Sequence, residues 1–423
     1  MKAIVRIFKF VFALVFCIAF ARTEIGHSQG NTPAPPSNLQ ASPVHLVPPT
    51  NPIPASFFGM HIHKAGKQTA WPSVPIPQWR LWDAHVAWPD MEAREGQWNF
   101  SYLDSYLALA KAHETGLLLP LGLSPQWASA RPTEKSAYQP GWAAEPKELD
   151  YWDTYVSTVV QHCKGQIHTY EIWNEPNYKP FWTGSTDQIV VLTHKAHDII
   201  KATDPSAVLV SPAATRGALG VEWLDDFLTK GGGRYVDVIG FHFYTETPEK
   251  MIPLIQLTKA AMTRHNMEAL PLWNTETGWS NPNPFPSPEL AAAYLARAYI
   301  LQWAAGVQRF YWYAWDNHGW VSIETTLPDS KTLTPAGQAY GVIQGWLVGA
   351  EMRSCDMSQD QTWVCHLHRA QGDQRIVWNA GGSTVTFDIP KAWKATSVTP
   401  LLGDPSRWTS ATLQVDQMPR LIQ

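Results

Sequence analysis

Between residues 57 and 347, short apolar runs alternate with amphipathic stretches, eight times over. The runs are FFGMHIH (57–63), QWRLWD (78–83), LLLPLGL (117–123), HTYEIWNE (168–175), AVLVSPA (207–213), VDVIGFHFY (236–244), LPLWNTE (270–276) and RFYWYAW (309–315). Their lengths and β-branched or aromatic content suit buried strands. The segments between them carry helix signals. Ser185 with Gln188 forms a capping box ahead of Ile189, Leu192, Ala196 and Ile199. Ser287-Pro288 opens another helix, and Gly306 lies just past its end. Strand-helix alternation repeated eight times predicts an α/β fold, a closed (β/α)8 TIM barrel. An open doubly wound sheet has the same periodicity, but the count of eight and the absence of a GxGxxG loop favour the barrel.

The flanks read differently. Residues 333–347 carry the last barrel helix. From about residue 350, TWVCHLHR, QRIVWNA, STVTFDI and TSVTPLLG are short strands at hairpin spacing. They predict a small C-terminal β-sandwich-like module, expected to pack on the barrel. Upstream, Lys2, Arg6 and Lys9 precede an apolar stretch that ends in Ala19-Phe20-Ala21, the pattern of a cleaved signal peptide. An uncleaved anchor is the alternative. Pro33, Pro35, Pro36, Pro43, Pro48, Pro49, Pro52 and Pro54 exclude a helix or a central strand. The expected organisation is signal peptide 1–21, Pro-rich linker 22–54, barrel 55–348 and β-domain 349–423. A secreted or periplasmic location follows, with no membrane association after cleavage.

Composition narrows the classes further. Hydrophobic residues make up 45% of the 423 and charged residues 16%, enough to bury a large core. The net charge of −4 gives no basic face for nucleic acid. Export permits a disulfide between Cys355 and Cys365, which flank a polar turn. Cys163 shares a helical face with Trp152, Val156 and Val159 and reads as a core thiol. Most of the 22 Trp belong to the core, and several are expected to line a sugar cleft.

Catalytic groups of a barrel stand where strands end. The fourth run ends in Trp173-Asn174-Glu175-Pro176, the seventh in Asn274-Thr275-Glu276-Thr277-Gly278. A carboxylate directly after an apolar run is unfavourable unless it is solvated or paired. Two of them facing each other across one barrel mouth suit glycoside cleavage, in which one donates a proton and the other attacks the anomeric carbon. Arg80 near Glu276 and the apolar Trp173 near Glu175 would push the two pKa values apart.

The segments EIWNEPN (171–177) and WNTETGW (273–279) resemble the two signatures of clan A glycoside hydrolases. Phe181-Trp182 and SPQWASARP (124–132) are most similar to glycoside hydrolase family 39. The resemblance covers residues 55–347. It implies a retaining O-glycosyl hydrolase with Glu175 as acid/base and Glu276 as nucleophile. It further implies that Asn174 binds the sugar 2-hydroxyl and that Arg80 keeps the nucleophile ionised. His242 and Tyr244 would lie against the nucleophile, and Trp315 would floor the −1 subsite. Relatives of this kind act on xylosides, iduronides and bacterial exopolysaccharides. The expected partner is a poly- or oligosaccharide, the expected state a monomer, and no cofactor is implied.

Other residues are open to two readings. His61 and His63 form an HxH that also opens the metal site of amidohydrolases, but the fifth run offers no His, so no metal is expected and His63 is read as lining the sugar pocket. Trp127, Trp182, Trp279 and Tyr178 are stacking platforms or loop packing. Asp83 and Asp316 orient Arg80, bind sugar or make structural pairs. The alternatives to a glycosidase are a non-catalytic carbohydrate-binding barrel and a metal-dependent amidohydrolase.

Overall fold

A computed structural model of the chain describes residues 42–279 and 285–423. The expected signal peptide lies outside the described residues. β1 (Val44–Leu46) precedes the barrel, whose strands are β2 (Phe58–His61), β3 (Gln78–Arg80), β4 (Gly116–Leu121), β5 (Thr169–Ile172), β6 (Val208–Val210), β7 (Ile239–His242), β8 (Leu272–Thr277) and β9 (Arg309–Trp312). All eight are parallel neighbours in the order β6-β5-β4-β3-β2-β9-β8-β7. Single parallel bridges, Val210 to Val238 and Ala214 to Phe241, join the two ends of that order and close the barrel.

The helices are α1 (Trp88–Met91), α2 (Ser101–Ala112), α3 (Leu149–His162), α4 (Thr186–Thr203), α5 (Ala218–Thr229), α6 (Met251–Arg264), α7 (Pro288–Ala304) and α8 (Pro335–Leu347). The Ser185 hydroxyl caps α4 in a full capping box with Gln188, and Ser287 caps α7 ahead of Pro288. α7 is buried on every side, because α8 and the C-terminal sheet cover what other barrel helices leave to solvent.

After α8 follow β10 (Glu351–Met357), β11 (Thr362–Arg369), β12 (Gly372–Asn379), β13 (Val385–Asp388), β14 (Ser397–Pro400), β15 (Ser406–Arg407), β16 (Thr412–Val415) and β17 (Arg420–Ile422). They form a seven-stranded sheet, in which β1 is an edge, and a β13-β16 pair. The proline-rich stretch expected as linker over 22–54 is therefore not free up to residue 54. Val44–Leu46 pairs with β10, and Ile53 exchanges backbone hydrogen bonds with Gly349 and Ala350. An edge strand tolerates flanking prolines because one of its faces needs no ladder donors. Cys355 and Cys365 are register partners and are joined by a disulfide. Cys163 is buried at the end of α3.

Module and barrel share one hydrophobic core, in which Met352, Trp363, Leu367 and Trp378 join the barrel residues. Polar contacts seal the seam. Trp378 Nε1 donates to Glu249 at 3.2 Å, and Arg369 donates to the carbonyl oxygens of Gly345 and Trp346 at the end of α8.

Candidate active site

β5 runs to Ile172, with Glu171 buried inside it, and the chain then turns abruptly. Trp173 has φ +57° and Glu175 has φ +47°, a left-handed conformation unusual for bulky side chains. The turn is held by Trp173 N–H on the Leu121 carbonyl at 2.7 Å and Glu175 N–H on the Ala213 carbonyl at 3.1 Å. It lifts Asn174 and Glu175 over the barrel mouth. On the opposite wall Glu276 lies one residue before the end of β8 and two before Gly278. A Cβ at Gly278 would lie 2.2 Å from the Tyr313 carbonyl oxygen, so only glycine lets this strand end close on its neighbour.

Arg80, fully buried at the end of β3, is the hub between the two walls. Its Nε donates to Glu171 Oε2 at 2.6 Å, one Nη to Glu276 Oε2 at 3.0 Å and the other to Asn174 Oδ1 at 2.9 Å. Tyr244 donates its hydroxyl to the other Glu276 oxygen at 2.8 Å. Glu276 is thus met by two donors. Glu175 is not; its Oε1 lies 3.0 Å from His242 Nδ1, and the Thr215 hydroxyl also bonds it. One carboxylate oxygen of each Glu lies within 4.8 Å of the other.

Burial is the main force on both acids. It raises Glu175 to about 7, opposed by the Thr215 bond and the Arg80 charge. It raises Glu276 to about 7 as well, aided by the neighbouring Glu175 and opposed by His242, Arg80 and Tyr244. Arg80 opposes the rise at both acids, and Tyr244 opposes it at Glu276 alone. Burial and the Arg80 charge lower His242 to about 4, so it is neutral.

The remaining expected residues separate into two groups. His242 hydrogen-bonds Glu175 and also lies within 4.8 Å of Glu276, its Nε2 anchored on Thr275 Oγ1 at 2.9 Å. His63 lies at the wall, tilted 5.1 Å from Tyr313, with its backbone N–H on Asp316. Asp316 also accepts from Lys64 N–H and the Thr69 hydroxyl and is structural. Trp182 is buried, packed edge-on against Trp173, with Nε1 on the Ser185 carbonyl. Trp127 packs between Trp88 and Tyr151 and donates to the Glu92 carbonyl. Neither is a free platform; both indoles pin loops. Trp279 packs against Phe285 and Tyr294. Trp315 is fully buried, and among the described residues no aromatic ring contact includes it. Tyr313, two residues earlier, lies instead against His61 and His63. Tyr178 is exposed at the rim, under the Arg216 guanidinium.

Of the residues around the site, Asp83 was open to several readings and Trp320 carried no sequence mark. Asp83 accepts hydroxyl hydrogens from both Tyr138 (2.5 Å) and Tyr313 (2.6 Å) and does not bond Arg80. It lines a cavity of about 240 Å³ with Trp82, His85, Asp90, Tyr138 and Trp142. Trp82 in turn lies beneath the Arg80 guanidinium, 5.8 Å away, so this cavity adjoins the carboxylate pair. Trp320 is exposed, edge-on to Tyr244 and Tyr313. The strand-end position flagged Asp83; nothing in its loop flagged Trp320.

Glu175, His242 and Glu276 are close enough to share a cation. The set does not fit one. The Arg80 guanidinium already sits on Glu276, and His61 and His63 belong to other partners, the Thr275 carbonyl and Asp316.

Residues 146–340 match the family described as Glycosyl hydrolase catalytic core. A β-xylosidase of Geobacillus stearothermophilus is 29% identical over 237 residues, 47% of this chain and 45% of that one. The resemblance is to the clan A glycoside hydrolases, family 39 in particular. The chain spans less than half the length of this relative. A family 39 glycoside hydrolase from Bacteroides cellulosilyticus WH2 shares the fold with a TM-score of 0.71 at 17% identity, covering 88% of this chain and 80% of that one. A monomeric β-xylosidase from Caulobacter crescentus CB15 superposes with a TM-score of 0.65 at 15% identity, covering 89% and 97%.

Proposed function

We propose that this chain is a retaining glycoside hydrolase, with Glu175 as acid/base and Glu276 as nucleophile, acting on a β-linked oligo- or polysaccharide. One observation carries the reading. Two buried carboxylates, with oxygens within 4.8 Å, face each other at the C-terminal rim of a parallel barrel. Retaining enzymes hold their carboxyl groups about 5–5.5 Å apart, whereas inverting enzymes leave about 6.5–9.5 Å for a water. Glu276, met by Arg80 and Tyr244, is the acid whose anion is stabilised and which attacks. Glu175 protonates the leaving oxygen and then deprotonates the water that hydrolyses the glycosyl ester. Asn174, whose Oδ1 is held by Arg80, keeps its amide hydrogens for a sugar hydroxyl. With Glu175 protonated, the buried set of Arg80, Glu171 and Glu276 has one net negative charge, favourable to an oxocarbenium-like transition state.

The names of the relatives make a β-xyloside the first substrate to try. On aryl β-xylosides, Glu276→Ala should abolish turnover. Glu175→Ala should keep more activity on aryl groups that leave without a proton than on poor leaving groups. Proton NMR of the first product should show the substrate's own anomer. The opposite anomer, or equal losses for Glu175→Ala on both substrate types, would overturn the assignment. We further propose a monomer exported by its basic-apolar N-terminus. The Cys355–Cys365 disulfide supports export, since such bonds persist in oxidising compartments. Periplasmic fractionation and mass of the mature chain test it.

A further inference from the structure

Glu171 is fully buried four residues before Glu175, and its Oε2 accepts from Arg80 Nε at 2.6 Å. Glu171 is the carboxylate of this ion pair, and a carboxylate only accepts hydrogen bonds. The Thr275 hydroxyl, 2.6 Å from Glu171 Oε1, must therefore be the donor there. A hydroxyl has a single hydrogen. Toward His242 Nε2, at 2.9 Å, Thr275 can then only accept, and Nε2 bears a hydrogen. The other nitrogen of a neutral imidazole is a bare acceptor. That nitrogen, Nδ1, faces Glu175 Oε1 at 3.0 Å. Two acceptors at that distance repel, so the proton between them belongs to Glu175.

We propose that Glu171 and Thr275 are positioning residues that fix the tautomer of His242 and thereby hold Glu175 as a hydrogen-bond donor. The proposal rests on the reading of Glu175 as acid/base. The surrounding charges agree with it. Arg80, Glu276, Glu171 and His61 face His242, and Arg80, Asp83 and the Thr215 hydroxyl face Glu175. None of them supplies a second hydrogen to His242 Nδ1. Burial lowers His242 and raises Glu175, which favours the neutral pair. The chain also serves the second half of the reaction. Once Glu175 has given its proton to the leaving oxygen, its carboxylate faces a bare nitrogen. It is then a stronger base toward the incoming water, whose proton restores the starting hydrogen bond.

The test is the nitrogen NMR spectrum of the protein labelled with [15N]histidine, assigned by His242→Gln. The expected resting state shows Nε2 protonated and Nδ1 bare. Thr275→Val removes the acceptor on Nε2; the ring should switch to the Nδ1–H form and donate to ionised Glu175. The basic limb of kcat/KM on an aryl glycoside should then move about one unit lower in pH, as expected when an anion gains a charge-assisted donor. Thr275→Ser should restore both the spectrum and the profile. A wild-type His242 that is doubly protonated or protonated on Nδ1 overturns the proposal, as does a Thr275→Val protein with an unchanged tautomer. The spectrum needs no turnover. A failure of the glycosidase reading would appear as absent hydrolysis, and the tautomer would still be decided.

Discussion

Replacing Glu175 with Gln should stabilise the protein, and only at high pH. The carboxyl has an ordinary pKa of 4.5 and is raised to about 7 here, chiefly by burial. A group whose folded pKa lies above its unfolded value binds its proton more tightly in the native state. The stability this contributes is complete below about 4.5 and is lost as the pH rises through about 7. At 1.36 kcal/mol per pH unit, the span corresponds to about 3 kcal/mol, an upper figure because Glu276 titrates in the same range. Glutamine does not titrate. Its amide can donate to His242 Nδ1 as the protonated acid does, while its oxygen accepts from Thr215. For a folded unit of roughly 380 residues, 3 kcal/mol is a rise of about 4 °C in Tm. Thermal unfolding of both proteins between pH 5 and pH 8.5 should give coincident Tm values at the acid end and the full separation at the alkaline end. A separation independent of pH, or a Glu175→Gln protein less stable at pH 8.5, would refute the burial argument.

Tyr244→Phe removes one of two donors to Glu276, a charge-assisted bond of about 1.5–3 kcal/mol. The acid limb of kcat/KM should rise by about one to two pH units, and an unshifted limb would mean that the bond to Glu276 does not act on its ionisation. EDTA should leave hydrolysis unchanged, because Arg80 stands where a metal would; activity lost to EDTA and restored by zinc would revive the amidohydrolase alternative. Ending the chain at Gly349 exposes α7 and the core shared with Trp363 and Trp378, so Tm should fall sharply and the protein should precipitate. An unchanged Tm would show that the module adds no stability.

The eight strands were readable because each is a short, mainly apolar run between amphipathic stretches, and the boundaries agree within a few residues. Glu175 and Glu276 were readable because a carboxylate at a strand end has few structural uses. Glu171 has the opposite pattern. It sits inside a strand, where a carboxylate looks like a residue on the outer face, and only the closed barrel turns it inward onto Arg80. Asp83 was open to several uses because its two tyrosines come from residues 138 and 313, far apart in sequence. Trp182 and Trp127 stayed open between stacking and loop packing, since an indole that pins a loop and one that binds sugar have the same local sequence. β1 escaped notice for a related reason. Three residues among prolines carry no periodicity, and their partner, β10, lies some 300 residues away.

Both acids feel nearly the same burial, so burial cannot decide which one attacks. The difference lies in the direction of the hydrogen bonds. Arg80 can only donate, the Tyr244 hydroxyl donates here as well, and both aim at Glu276, so each favours its anion. His242 presents a bare nitrogen to Glu175 and favours its acid form. A single proton distributed over the pair therefore resides on Glu175, even where the two intrinsic affinities are equal. Arg80 supports both sides of this asymmetry at once. One Nη meets Glu276 directly, and Nε pairs with Glu171, whose other oxygen orders Thr275 and through it His242. Loss of Arg80 should for this reason damage acid and nucleophile together, and neither shift could be restored by lysine, whose single ammonium cannot span Glu171, Glu276 and Asn174.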